Sequence, residues 1–366
     1  MSSTHLRVAA AACISAIAAP GFLHADQIRD DQWHLRFLNA AEAHRYSRGN
    51  GVVVAVIDTG VDPHPDLKDN LLPGTDAVSG SGDGRLDMDS HGTGMAGLIA
   101  AHGSGPEAGA LGIAPEAKIL PVRNQGSSGQ DNSDTLAAGI EWAVNHGATI
   151  INVSSGGSPS PRLRSAVAAA VAADVVIVAA AGNRPTDLVV TFPAALDGTL
   201  AVGATDGNGN HADVSVTSRQ IAISAPGVDI YSTSYKGQYS KGTGTSNATA
   251  IVAGAVALVR SKYPDLSAQE VIHRLTATAT DKGPPGRDEQ YGYGVLNLVA
   301  ALTADVPPLG APATPVTTPP EPEPDRGNGV AALVALSAFV VAAIVVTILL
   351  VRSRRRSHNA PGTVEQ

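Results

Sequence analysis

A chain of 366 residues can hold one large α/β domain with appendages or two average domains. Its formal net charge of −8 leaves no broad basic surface to neutralise phosphates, which excludes a nucleic-acid binder. Hydrophobic residues reach 43% while aromatics stay at 4%, so a core must be packed from Ala, Val and Gly, residues that suit close layers and tight turns.

The chain opens with a short polar stretch bearing Arg7, an apolar run from Val8 to Leu23, and the ending Leu23-His24-Ala25. This is the layout of a secretory signal at 1–25, cut after Ala25; the rival reading is an uncleaved N-terminal anchor. The single cysteine, Cys13, lies inside it, too near the start to follow a full apolar run and serve as a lipid-attachment site. Once the signal is removed no thiol remains, so no disulfide is expected. An extension at 26–50, carrying the segment Gln32–Arg48, is expected to pack on the body; it leaves no room for a separate pro-domain.

The body, 51–305, alternates two kinds of segment. Short β-branched runs at Val52–Ile57, Lys118–Val122, Thr149–Val153, Val175–Ala179, Leu200–Gly203 and Ile221–Ser224 are mostly apolar on both faces, as in strands of a buried parallel sheet. Helical stretches fall at Gly92–Ala101, Asp134–Asn145, Leu163–Ala172 and Ala248–Lys262, and Ser267-Ala268-Gln269-Glu270 is a capping box opening one more. The alternation predicts a doubly wound α/β domain whose chemistry lies at the carboxyl ends of the strands.

Beyond the body, 306–329 is a Pro-rich linker that cannot pack a core. Residues 330–351 carry no charge and would span roughly 33 Å as a helix, enough for a hydrocarbon core of about 30 Å. The tail 352–366 begins with Arg352, Arg354, Arg355 and Arg356. The positive-inside rule then places the tail in the cytoplasm and the body outside, in a single-pass membrane protein.

Three segments carry chemistry. Val54-Ala55-Val56-Ile57-Asp58-Thr59-Gly60 is a strand ending in a carboxylate and a turn glycine. Asp89-Ser90-His91-Gly92-Thr93-Gly94 sets a histidine at a helix start, and Gly242-Thr243-Gly244-Thr245-Ser246-Asn247-Ala248 sets a serine where a glycine-rich loop enters a helix. A serine hydroxyl attacks a carbonyl only if a base takes its proton, a histidine suits that task, and a buried aspartate fixes the imidazole tautomer. Taken alone, Asp58 would be a strand-end turn former, and His91 and Ser246 helix caps.

Together, in the order Asp, His, Ser, these blocks resemble the signatures of the subtilisin-like serine proteases, and the resemblance runs from Gln32-Trp33 to Tyr291-Gly292-Tyr293-Gly294-Val295-Leu296-Asn297. It implies a catalytic triad of Asp58, His91 and Ser246 and an oxyanion-hole donor at Asn183, which ends the block Val176–Asn183. It further implies that Ser154, Ser155 and Gly156 pair with substrate and wall the first specificity pocket. Ser128, Gly129 and Gln130 would form the opposite edge, and Ala180, Ala181 and Gly182 the other pocket wall. An extended peptide would lie between the two edges as an added strand. Arg184 would disfavour basic side chains at the cleavage site.

The sequence departs from the family at Ala250, where relatives commonly have proline, and at Gly94, where many have histidine; neither change removes a catalytic group. His64, in His64-Pro65-Asp66-Leu67, reads as structural, and Asp83, Asp87 and Asp89 read as solvated loop acids, so no metal or cofactor is expected.

A signal peptide, no pro-domain, a Pro-rich linker and a terminal membrane helix with a basic tail together resemble the mycosins, membrane-anchored subtilases of actinobacterial type VII secretion, from whose pattern the body departs in having no disulfide-forming cysteines. That implies an endopeptidase acting on extracytoplasmic polypeptides beside the secretion membrane complex. The alternative is a structural component of that complex whose proteolysis is dispensable.

Overall fold

The computed structural model describes residues 25–125, 133–310, 341–350 and 352. The signal segment up to residue 24, the expected cleft edge at Ser128, Gly129 and Gln130, the linker from 311 on and the tail after Arg352 lie outside the described residues.

In the unit ending at Leu309 the chain runs through α1 (Ala25–Asp31), α2 (Trp33–Phe37), α3 (Ala40–Ala43), β1 (Val53–Asp58), β2 (Thr75–Asp76), α4 (His91–Ala100) and β3 (Lys118–Arg123). It continues through α5 (Ser133–Asn145), β4 (Ile150–Val153), α6 (Pro161–Ala172), β5 (Val176–Ala180), β6 (Thr199–Thr205) and β7 (Ile223–Pro226). A hairpin of β8 (Ile230–Ser234) and β9 (Gln238–Gly242) precedes α7 (Thr245–Lys262), α8 (Ala268–Ala277) and α9 (Leu298–Thr303). All six expected strands and all five expected helices of the body form, each within a few residues of its expected ends. Segment 26–50 folds as three short helices, with Leu35, Leu38, Ala40 and Ala43 joining the core.

Seven strands form one parallel sheet in the order β2-β3-β1-β4-β5-β6-β7. The chain leaves β1 toward β3 on one side and toward β4 on the other, so the direction of winding reverses at β1, and a crevice opens at its carboxyl end. Period-two alternation sorts the strand residues between the faces. Val54 and Val56 pack with the helices α4 and α7, whereas Ala55 and Ile57 pack with α5 and α6. Asp58 shares the parity of Val54 and Val56, so its side chain emerges on the α4 and α7 side. His91 begins α4 and Ser246 is the second residue of α7. Strand parity puts Asp58 on that face, the bond to Asp58 brings His91 there, and Ser154 at the end of β4 holds the Ser246 carbonyl at the carboxyl ends of the strands.

The α7 helix is buried without a break from Ala248 to Val259, which explains its lack of an amphipathic pattern: core surrounds it on all sides. Only small residues allow that approach. A Cβ on Gly254 would stand 2.6 Å from Ile113 Cβ. Its neighbour α8 starts with the expected capping box, Ser267 Oγ accepting from Glu270 N–H while Glu270 Oε2 accepts from Ser267 N–H.

In the unit Gly310–Gln366, positions 341–350 are helical and exposed. Among the described residues no helix is long and apolar enough to cross a membrane; the apolar run 330–351 is described only over 341–350.

One buried group makes the fold sensitive to acid. His34 in α2 is fully buried with neither ring nitrogen hydrogen-bonded, and burial, aided by the Arg36 charge, lowers its pKa to about 3. The unfolded chain takes up this proton near pH 6.5 and the folded chain only near 3, so folding stability falls as pH drops through that window. The slope contributed is up to about 1.4 kcal/mol per pH unit. Urea melts of the wild type and His34→Leu at pH 7, 5.5 and 4.5 should show a flatter pH dependence in the variant; parallel dependences would refute the assignment.

Candidate active site

Asp58 ends β1 with its carboxylate fully buried. Its Oδ1 accepts from Thr59 N–H at 2.8 Å and from His91 Nδ1–H at 2.8 Å. A carboxylate can only accept, so the ring proton sits on Nδ1 and Nε2 is the free base of the neutral ring. Two glycines permit this approach. At Gly92 a Cβ would stand 2.1 Å from the Gly60 carbonyl oxygen, and at Gly60, with φ +112°, a Cβ would stand 2.1 Å from the Leu86 carbonyl oxygen.

The His91 side chain keeps 34% of its surface exposed. Burial opposes its charged form, but the charge and hydrogen bond of Asp58, then the charges of Asp89 and Asp87, outweigh that and raise the pKa to about 9.

Ser246 and Asn183 converge from separate elements. A Cβ on Gly244 would lie 3.2 Å from Ser246 Oγ and 3.3 Å from Asn183 Nδ2, so both polar atoms border one small space. Thr245 fixes the amide: its N–H donates to Asn183 Oδ1 at 2.8 Å and its hydroxyl to the same oxygen at 3.1 Å. With Oδ1 bound to two donors, the NH₂ end is left to face outward. The Asn183 main-chain N–H donates to Asp187 Oδ2 at 2.7 Å, which holds the strand exit in place.

The residues expected to line the pocket differ in exposure and contacts. Ala180, Ala181 and Gly182 are buried where β5 ends. Ser154 is buried as well, and its hydroxyl donates to the Ser246 carbonyl at 3.3 Å, bracing α7. Ser155 and Gly156 are partly exposed. Arg184 binds Thr217 Oγ1 at 2.9 Å on the surface.

Two residues beside the site, Thr191 and Asp87, escape sequence reasoning. Thr191 spans the two walls: its N–H donates to Ala181 O at 3.1 Å and its hydroxyl to Ala180 O at 3.3 Å. Its side chain lies against Gly156, where a Cβ would come within 2.6 Å of Thr191 Cβ. Asp87, expected to be solvated, is 4% exposed and accepts five hydrogen bonds. Only its spacing, four residues before His91, hints at this in the sequence. His64 is buried, as a structural residue should be.

Residues 49–294 match the family model described as "Subtilase family". The chain is 41% identical to Subtilisin DY of Bacillus licheniformis over 259 residues, covering 69% of this chain and 92% of that protein. It is also 41% identical to Subtilisin Savinase of Lederbergia lenta, covering 74% and 97%. Among solved structures, MycP1 with its N-terminal propeptide removed superposes with a TM-score of 0.69 at 34% identity, covering 75% of this chain and 98% of that one. MycP1 described as a serine protease and an essential component of the type VII (ESX-1) secretion system gives 0.68 at 33%, covering 76% and 89%.

The chain belongs to the subtilase family and is a subtilisin-like serine protease. Its structural neighbours are mycosins.

The carboxylates around His91 make its titration measurable. The ring should titrate near pH 9 by NMR, and Asp89→Asn, which removes an exposed charge that raises the pKa, should move it to lower pH. The shift should shrink in high salt. An unchanged midpoint in Asp89→Asn would contradict this electrostatic account.

Proposed function

We propose that this protein is a membrane-anchored serine endopeptidase that cleaves extracytoplasmic polypeptides through an acyl-enzyme on Ser246. In the neutral ring, the form present above its pKa of about 9, His91 Nε2 takes the hydroxyl proton as Ser246 Oγ attacks the scissile carbonyl, and later returns it to the leaving amine. Asp58 holds the tautomer and stabilises the imidazolium. The negative charge on the carbonyl oxygen is met by Asn183 Nδ2 and the Ser246 main-chain N–H. The observation that carries this reading is the pairing of Asp58 with His91 at 2.8 Å beside an Asn183 amide aimed by Thr245.

The anchor and the partner rest on other support. The apolar run 330–351 followed by arginines favours a single-pass helix with the body outside and the tail in the cytoplasm. Likeness to MycP1 favours association with a type VII secretion membrane complex. The description of MycP1 as an essential component also favours the second reading, a structural role in which proteolysis is dispensable. Retained secretion in a Ser246→Ala strain, against its loss on deletion of the gene, would support that role.

A membrane-impermeant fluorophosphonate tests enzyme and topology together. It should label the wild type in intact cells, the label should sediment with membranes, and Ser246→Ala should take none. Absence of label in the wild type would sink the enzymatic reading, and label released in soluble form would sink the anchor. Asn183→Ala should keep the label site but lower kcat by about 10²–10³-fold, a magnitude established on another subtilisin.

In this reading the specificity pocket lies between segments 154–156 and 180–182, with Thr191, packed against Gly156, at its end, and would take small side chains at the cleavage site. Thr191→Gly should raise kcat/KM for Phe relative to Ala at that position by at least about tenfold, the scale of a few buried methylenes. Equal preference before and after the change would exclude Thr191 as the pocket's end.

A further inference from the structure

We infer that Asp87 is a positioning residue for His91, acting through the main chain on both sides of the Asp58–His91 pair; this rests on the protease reading above.

Asp87 is a single buried carboxylate with five donors. Its Oδ1 accepts from the Thr59 hydroxyl at 2.8 Å and from the N–H groups of Asp89 and Ser90 at 2.9 Å each. Its Oδ2 accepts from Thr93 N–H at 2.9 Å and the Thr93 hydroxyl at 2.6 Å. Thr59 Oγ1 in turn accepts from Gly92 N–H at 3.0 Å.

These contacts bracket the reacting pair. Thr59 follows Asp58 directly and gives its own N–H to the same Asp58 oxygen that receives the His91 ring proton. Ser90 and Gly92 flank His91. Rotation of the α4 start, which would swing the imidazole off Asp58, must break bonds to Asp87 or to Thr59.

The backbone at this point needs such a hold. Ser90 has φ +84°, a left-handed conformation that a non-glycine residue keeps only when its surroundings enforce it. Ser90 does not cap α4 with its own side chain. Asp87 performs that task from outside the helix, satisfying the Thr93 N–H that a capping side chain would otherwise take. The loop is itself anchored, because Asp87 N–H donates to Asp62 Oδ1 and Asp62 N–H to Thr93 Oγ1, both at 2.9 Å. None of these contacts involves a substrate-facing atom, which separates positioning from catalysis.

An asparagine in this place keeps one acceptor oxygen but turns an NH₂ group toward Thr93 N–H, so the carboxylate cannot be replaced by its isostere. Turnover should be measured on a small ester and normalised to sites counted by fluorophosphonate burst. Asp87→Asn should lower kcat per titrated site by at least about tenfold with KM changed less than about twofold. The Asp58–His91 ring proton, expected at low field in the wild-type NMR spectrum, should broaden or move.

Thr59→Ala removes one arm of the same device and should lower kcat per site in the same direction by a smaller factor; Thr59→Ser, which keeps the hydroxyl, should restore it. If Asp87→Asn does not fold, this pair decides. Wild-type kcat per site in Asp87→Asn, or in Thr59→Ala, overturns the inference. So does a loss confined to the number of titratable sites, which is what a merely structural role would produce. A wild type that turns over no ester would instead defeat the protease reading, and the two failures are thereby distinguished.

Discussion

Everything at the site follows from placing a carboxylate at the buried end of the central strand. An ionised group with no solvent exposure is costly unless hydrogen bonds and a partner charge compensate it. Asp58 obtains its donors from Thr59 and His91, and to bring His91 that close the start of α4 must lie on the Gly60 carbonyl. Gly60 and Gly92 are thus consequences of the Asp58 position, as is the His91 pKa. A group near Asp58, Asp89 and Asp87 keeps its proton until about pH 9 although burial works against it.

The same crowding explains the composition. With α4 and α7 both on the Asp58 face, and α7 enclosed along most of its length, bulky side chains would push the helices apart. Alanine and valine fill much of that layer beside leucines and isoleucines such as Leu98, Ile99 and Ile251, and close backbone approach is stabilised by dispersion between well-packed groups. Hydroxyls serve where backbones nearly touch: Ser232 and Thr233 of β8 donate to the Gly94 and Thr93 carbonyls at 2.7 Å. The low aromatic content is a condition of this packing.

How much of this is legible in sequence depends on the kind of signal. Six of the seven strands of the sheet announce themselves because both faces are buried, and a run such as Val54–Ile57 stays apolar throughout; β2, the two residues Thr75 and Asp76, is too short and polar to show. Asp58, His91, Ser246 and Asn183 are legible because each sits in a block of unusual local composition. The hairpin β8–β9 is not, since its mixed polar sequence only makes sense against α4, a partner more than 130 residues away. Asp87 fails for the opposite reason. In a Gly-rich loop with Asp83 and Asp89 it looks like any solvated acid, and only the fold brings Thr59, 28 positions earlier, to its oxygen. Thr191 lies in a segment without pattern, and its place between two walls is set by the main-chain carbonyls of Ala180 and Ala181.

The two helices that carry the reacting residues also share a logic of donors. Every helix leaves its first N–H groups without partners inside the helix, and here both starts are buried near the crevice. At α4 those donors are consumed: Gly92 N–H by Thr59, Thr93 N–H by Asp87, and Gly94 N–H by the Ser90 carbonyl. The result is a rigid start that aims an imidazole. At α7 Thr245 N–H goes to Asn183, which aims the amide, while the N–H of Ser246 lies next in line at the mouth of the crevice. One helix end is closed by a carboxylate so that its side chain can act as a base. The other is closed only as far as Thr245, and the donor that follows is the one the proposed reaction assigns to the developing oxyanion.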